Sequence, residues 1–121
     1  MNIESFRKYC LAKKGVTEEF PFGSETLVFK VKGKMFALTN IENFESINLK
    51  CDPEVGAELR DRYPSVEPGY HMNKKHWITV RSDGSLKDTL IRSWTDNSYD
   101  LVVRGMSKSD KALNTLSSEN Q

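Results

Sequence analysis

The sequence predicts a two-layer α+β domain, an antiparallel sheet with helices laid against it. Three observations carry this. Apolar residues alternate on either side of Gly33, the first residues repeat at helical spacing, and an Asp-Pro step separates two groups of strands. Together they give the order α-β(3)-α-β(2)-α.

Asn2 can cap a first helix running from Ile3 to about Lys14, because Ile3, Phe6, Cys10 and Leu11 share one face. Gly15 is placed to end it. Val16 to Glu25, with Phe20-Pro21-Phe22-Gly23, reads as a loop. Thr26 to Lys32 puts Leu27, Phe29 and Val31 on one face, and Lys34 to Thr39 continues the alternation after a tight turn at Gly33, the pattern of a β-hairpin. Ser46 to Lys50 forms a third strand through Ile47 and Leu49.

Asp52-Pro53 starts a second helix with a cap followed by proline at the first helical position. Val55, Leu59 and Tyr63 are its expected buried stripe. Ser65 to Met72 reads as an edge strand, since Pro68 and Gly69 suit an edge or a bend. His76 to Arg81 is a clearer strand. Ser85 with Asp88 resembles a capping box opening a last helix, which carries Leu86, Leu90, Ile91 and Trp94. Thr95-Asp96-Asn97-Ser98 breaks that pattern, so Tyr99 to Met106 is expected as a second segment or a kinked continuation.

A chain of 121 residues has room for one core. The expected organisation is one domain over residues 1–108 and a flexible polar tail over 109–121. No apolar run approaches the roughly 20 residues needed to span a bilayer. Met1 to Lys8 lacks the apolar core of a secretory signal, so the cytosol is the expected compartment, with no membrane partner. Cys10 and Cys51 are then expected as free thiols.

Net charge is +1, yet the charge is segregated. Thr26 to Ile41 contains Lys30, Lys32 and Lys34 and no acid; Pro68 to Ser82 contains Lys74, Lys75 and Arg81 and no acid. These stretches hold +6 and the rest of the chain −5. Such a field recruits an anionic partner even when the total is near zero. Two hairpins that merely happen to be lysine-rich would give the same map.

Catalytic motifs are absent: there is no phosphate-binding glycine loop, nucleophile elbow or paired-cysteine metal motif. Cys10 lies on the apolar stripe of the first helix, where a structural thiol is expected. His71 and His76 fall on opposite faces of an extended run, which disfavours shared metal ligation. No enzyme activity, cofactor or metal is therefore expected. Binding reads better. Tyr70, Lys74, Lys75, Trp77 and Arg81 interleave rings with cations, and Lys30, Lys32 and Lys34 form a second row. Cations neutralise phosphates while rings stack on bases. Trp77 is open to two readings, an outward contact or a buried ring, since a large ring on a strand is usually core.

Lys50-Cys51-Asp52-Pro53, Leu59-Arg60, Tyr63-Pro64, the run Pro68-Gly69-Tyr70-His71-Met72-Asn73-Lys74-Lys75-His76-Trp77, and Ser98-Tyr99-Asp100-Leu101-Val102 together resemble the MmcQ/YjbR family of small bacterial proteins. The similarity covers Ile3 to about Lys108. It implies a fold like CyaY and the type III secretion chaperones, in the order α-β(3)-α-β(2)-α. It also implies a non-enzymatic DNA-binding role through a "double wing" of two hairpins. Carried over by position, the wings are Lys30 to Lys34 and Tyr70 to Trp77, which brings His76 into the expected site. The first helix departs from an acidic iron-binding ridge, because Arg7, Lys8, Lys13 and Lys14 accompany Glu4. The alternative is a chaperone-like adaptor that binds protein and no nucleic acid. Either way, a monomer or weak homodimer is expected.

Overall fold

The computed structural model describes residues 1–69 and 72–105. The elements run α1 (Ile3–Leu11), β1 (Val16–Glu19), β2 (Thr26–Val31), β3 (Lys34–Asn40), β4 (Ser46–Lys50), α2 (Pro53–Arg62), β5 (Val66–Pro68), β6 (Trp77–Arg81) and α3 (Asp88–Arg104). The fold class is α+β, with one antiparallel sheet in the order β1-β2-β3-β4-β6-β5. The expected tail over 109–121 and the position of Tyr70 lie outside the described residues.

The caps read from the sequence form. Asn2 Oδ1 accepts from the Ser5 N–H and Ser5 Oγ accepts from the Asn2 N–H, a reciprocal box that starts α1. Asp52 accepts from the Glu54 N–H ahead of Pro53. Lys32 and Gly33 both have positive φ, 49° and 78°, between the paired Val31 and Lys34. That is a type I′ turn, whose twist matches its flanking strands.

Leu27, Phe29, Ile47, Leu49, Ile78 and Val80 point to one face of the sheet and meet Phe6 and Cys10 of α1 and Ile91, Trp94 and Val102 of α3. Phe6 stands edge-on to Phe29 at 5.8 Å, and Phe36 to Tyr99 at 5.4 Å. Burying Phe29 and Ile47 completely contributes about 1.5–3 kcal/mol each. The reverse face carries the alternate residues Val28, Leu38, Asn48 and Thr79, which lie side by side across four strands.

Several expectations are corrected. Val16–Glu19 is a strand, not loop, so four strands precede α2. Only Val16 of its residues is apolar, and long-range partners hold it: Arg7 Nε donates to Glu18 at 2.7 Å, and Lys30 pairs with Glu19 at 2.7 Å. In α2 the deeply buried residue is Gly56, while Val55 is 43% exposed. A Cβ at Gly56 would stand 3.4 Å from Ile78, so the small residue lets the helix approach the sheet.

The last helix is continuous. Thr95 and Ser98 are fully buried in it because their hydroxyls have partners: Thr95 Oγ1 donates to the Ile91 carbonyl at 2.7 Å. Ser98 Oγ donates to the Phe36 carbonyl at 2.5 Å and accepts from the Lys50 N–H at 2.8 Å, tying α3 to two strands. The Ser85–Asp88 capping box does not form, since Ser85 turns back to Asp83 and the helix begins at Asp88 without a side-chain cap.

Candidate nucleic-acid interface

The register decides where the basic residues go. β2 runs toward the Lys32-Gly33 turn; β3 runs away, β4 returns, and β6 runs away again from Lys50↔Trp77 to Ser46↔Arg81. Pro68 pairs with Ile78, so Gly69 and residues 72–76, which lead out of β5 and into β6, lie at the same end as the first turn. Both hairpins therefore project from one end of the sheet. Their midlines are three strand spacings apart, about 14 Å, comparable with the roughly 12 Å width of a DNA major groove.

Lys32 and Lys34 flank the tip of the first hairpin and are exposed. Lys32 occupies a left-handed conformation in which a side chain costs energy that glycine or asparagine largely avoids. In the second hairpin Asn73 Oδ1 accepts from the Lys75 N–H at 2.9 Å and the Asn73 carbonyl accepts from the His76 N–H at 3.1 Å. This compact turn presents Lys74, Lys75 and His76 to solvent. Gly69 permits the closure: a Cβ there would stand 2.6 Å from Trp77 Cβ and 2.8 Å from its carbonyl oxygen.

The remaining sequence-derived residues are placed otherwise. Trp77 is only 8% exposed, so the buried reading holds and the ring offers no open face for stacking. Lys30 is engaged by Glu19, and Arg81 lies at the far end of β6, where its Nη2 donates to Glu67 at 2.7 Å. Both acids come from strands adjacent in the sheet and lie outside the acid-free stretches or at their margin. Lys14 is a residue the sequence reading missed. It is exposed, and pairing of Val16 with Val31 brings it to the hairpin end. Only the pairing of β1 reveals it.

The opposite end is richer in acid. The loops 20–25, 41–45 and 82–87 carry Glu25, Glu42, Glu45 and Asp83 against Lys87 and the neighbouring Arg81, and expose Phe20 and Phe22. The Ile41 N–H donates to the Glu25 carbonyl at 2.9 Å, so two of these loops are adjacent. As for chemistry, burial pushes the Cys10 thiol well above its ordinary range, which removes the thiolate a nucleophile needs. Among the described residues no cluster of three potential metal ligands occurs, and no helix is long and apolar enough to cross a membrane.

Comparison with known proteins places the chain. The YjbR family model matches residues 11–101. The chain is 44% identical over 93 residues to YbdF of Escherichia coli O157:H7, covering 76% of each. It is 34% identical over 114 residues to YjbR of Escherichia coli K12, covering 93% of this chain and 97% of that one. The crystal structure of DR2400 from Deinococcus radiodurans superposes with a TM-score of 0.88 at 41% identity, over 94% of this chain and 88% of that one. A crystal structure from Pseudomonas syringae gives 0.70 at 32% identity, over 84% and 98% of the two chains. The chain thus belongs to the YjbR family.

Proposed function

We propose that this protein is a non-enzymatic DNA-binding module whose two hairpin tips contact phosphates on either side of a duplex groove. The observation that supports the reading is the convergence of two acid-free, lysine-bearing turns at one end of a single sheet. Lys32, Lys34, Lys74 and Lys75 are the phosphate contacts, with His76 beside them. Lys30, whose side chain is only 21% exposed beside Glu19, and Arg81, at the far end of β6, contribute little because neither stands at a hairpin tip. Trp77 supports the second hairpin from within.

Four contacts set the expected salt dependence. Affinity for a duplex falls roughly 10²-fold between 50 and 200 mM salt, where six contacts would give about 10³-fold. Fluorescence anisotropy of a labelled duplex, titrated across that range, measures the slope. Binding indifferent to salt, or undiminished in Lys74→Ala/Lys75→Ala, overturns the proposal.

A second reading, a protein-binding adaptor, is favoured by one feature: Phe20 and Phe22 are 48% and 64% exposed in a loop at the far end. It predicts a partner bound through Phe22 and indifference to added duplex.

A further inference from the structure

A cavity of about 480 Å³ opens between α2 and the C-terminal half of α3, over the ends of β4 and β6. Its size is that of a small-molecule site, which commonly occupies 300–1,000 Å³. Val55, Leu59, Ile78, Trp94 and Leu101 give it apolar walls. This accounts for Val55, an apolar side chain left 43% exposed on α2. The lining includes none of the hairpin lysines, although the Cys51 N–H donates to the His76 carbonyl at 2.7 Å, and the inference does not depend on the DNA-binding reading.

The polar lining is ordered along α3. Asn97, Asp100 and Arg104 follow one another at helical spacing on the cavity side. Asp100 and Arg104 stand four residues apart, where opposite charges commonly pair. Among the described residues they form no ion pair with each other, and both are exposed. The other carboxylate of the lining, Asp52, is committed to capping α2. Lys50 also lines the cavity, but it follows the core-facing Leu49 in β4, so its side chain lies on the reverse face of the sheet. From α3 the mouth therefore offers one anion, one cation and an amide above an apolar interior.

We infer that this cavity binds a small zwitterion with an apolar side chain, a large apolar amino acid or an apolar dipeptide. Arg104 receives the carboxylate, Asp100 the ammonium group, and Trp94 with Leu59 the apolar body. A simple fatty or aryl acid would leave Asp100 facing its carboxylate, and an amine would leave Arg104 without an acceptor. The zwitterion satisfies both.

The test uses the full chain and two probes, L-phenylalanine and L-leucyl-L-phenylalanine, followed by amide chemical-shift perturbation and calorimetry. At least one probe is expected to bind saturably, with shifts confined to α2, α3 and residues 50–52. Its amidated form, lacking the carboxylate, and its N-acetyl form, lacking the ammonium, should each bind at least fivefold more weakly. Arg104→Gln should erase the preference over the amide alone, and Asp100→Asn the preference over the acetyl form alone. Both residues are exposed, so the fold is not at stake. Val55→Trp, also on an exposed position, should fill the cavity and abolish binding. Neither probe binding, equal binding of the capped forms, or shifts confined to the hairpins would each overturn the inference.

Discussion

The two ends of the sheet are built from the same kind of element, short turns between antiparallel strands, yet they differ in sign and in polish. The hairpin end gathers Lys32, Lys34, Lys74 and Lys75, with Lys14 beside them, on turns stiffened by hydrogen bonds. The far end gathers Glu25, Glu42, Glu45 and Asp83 around two exposed phenylalanines. A chain with net charge +1 therefore distributes its charge unevenly between the two ends, although Arg81 and Lys87 stand at the acidic one and Asp52 and Glu54 follow β4 at the basic one. The lesson is that net charge is a poor guide when strand direction alternates, because each turn can be assigned to one end independently of the others. Such a molecule presents an anion with a preferred orientation of approach before any contact forms.

The contrast can be broken most severely at Gly69. Gly69→Ala drives a Cβ into Trp77, so the base of the second hairpin must shift, at a cost of about 3 kcal/mol. Thermal or urea unfolding measures this loss. Charge reversal tests the contrast itself. Lys32→Glu/Lys34→Glu should weaken duplex binding roughly 10²-fold near 0.1 M salt, by removing two phosphate contacts and adding repulsion. Glu42→Lys/Glu45→Lys at the far end should change it less than about threefold, since that end lies beyond a Debye length of roughly 10 Å from the bound phosphates. Equal effects from the two pairs would show that only net charge matters.

Lys32→Asn sharpens the picture because its two readouts oppose each other. Asn-Gly suits a type I′ turn better than Lys-Gly, so stability should rise by roughly 0.5 kcal/mol. Duplex affinity should fall several-fold from loss of one phosphate contact. The smallest effect is expected at the far end. Phe22→Ser, at 64% exposure, should change stability by less than about 0.5 kcal/mol and leave duplex binding intact, a result that unfolding curves and anisotropy both check.

Most of the fold was legible in the sequence because it rests on short stretches of chain. Asn2 and Asp52-Pro53 announce two helices through caps that need only the next few residues. The alternation around Gly33 specifies the first hairpin, and kinship with the YjbR family, read from the sequence, matches the family model over residues 11–101. Where reading failed, a distant partner had changed the meaning of a local signal. Thr95 and Ser98 look like a helix break until their hydroxyls find carbonyls at Ile91 and Phe36. Val16–Glu19 looks like loop until Arg7 and Lys30 hold its two glutamates.

The candidate interface divides along the same line. Sequence by itself determined which residues are basic, that they sit on two hairpins, and that the domain is α+β. Tertiary structure alone decided that both turns leave the same end of the sheet, that Trp77 is buried, and that Lys30 and Arg81 are already paired. The physical reason is that charge, capping and periodicity belong to consecutive residues, whereas burial and ion pairing depend on which strand lies alongside. That neighbour is set by the sheet order, where β6 inserts between β4 and β5.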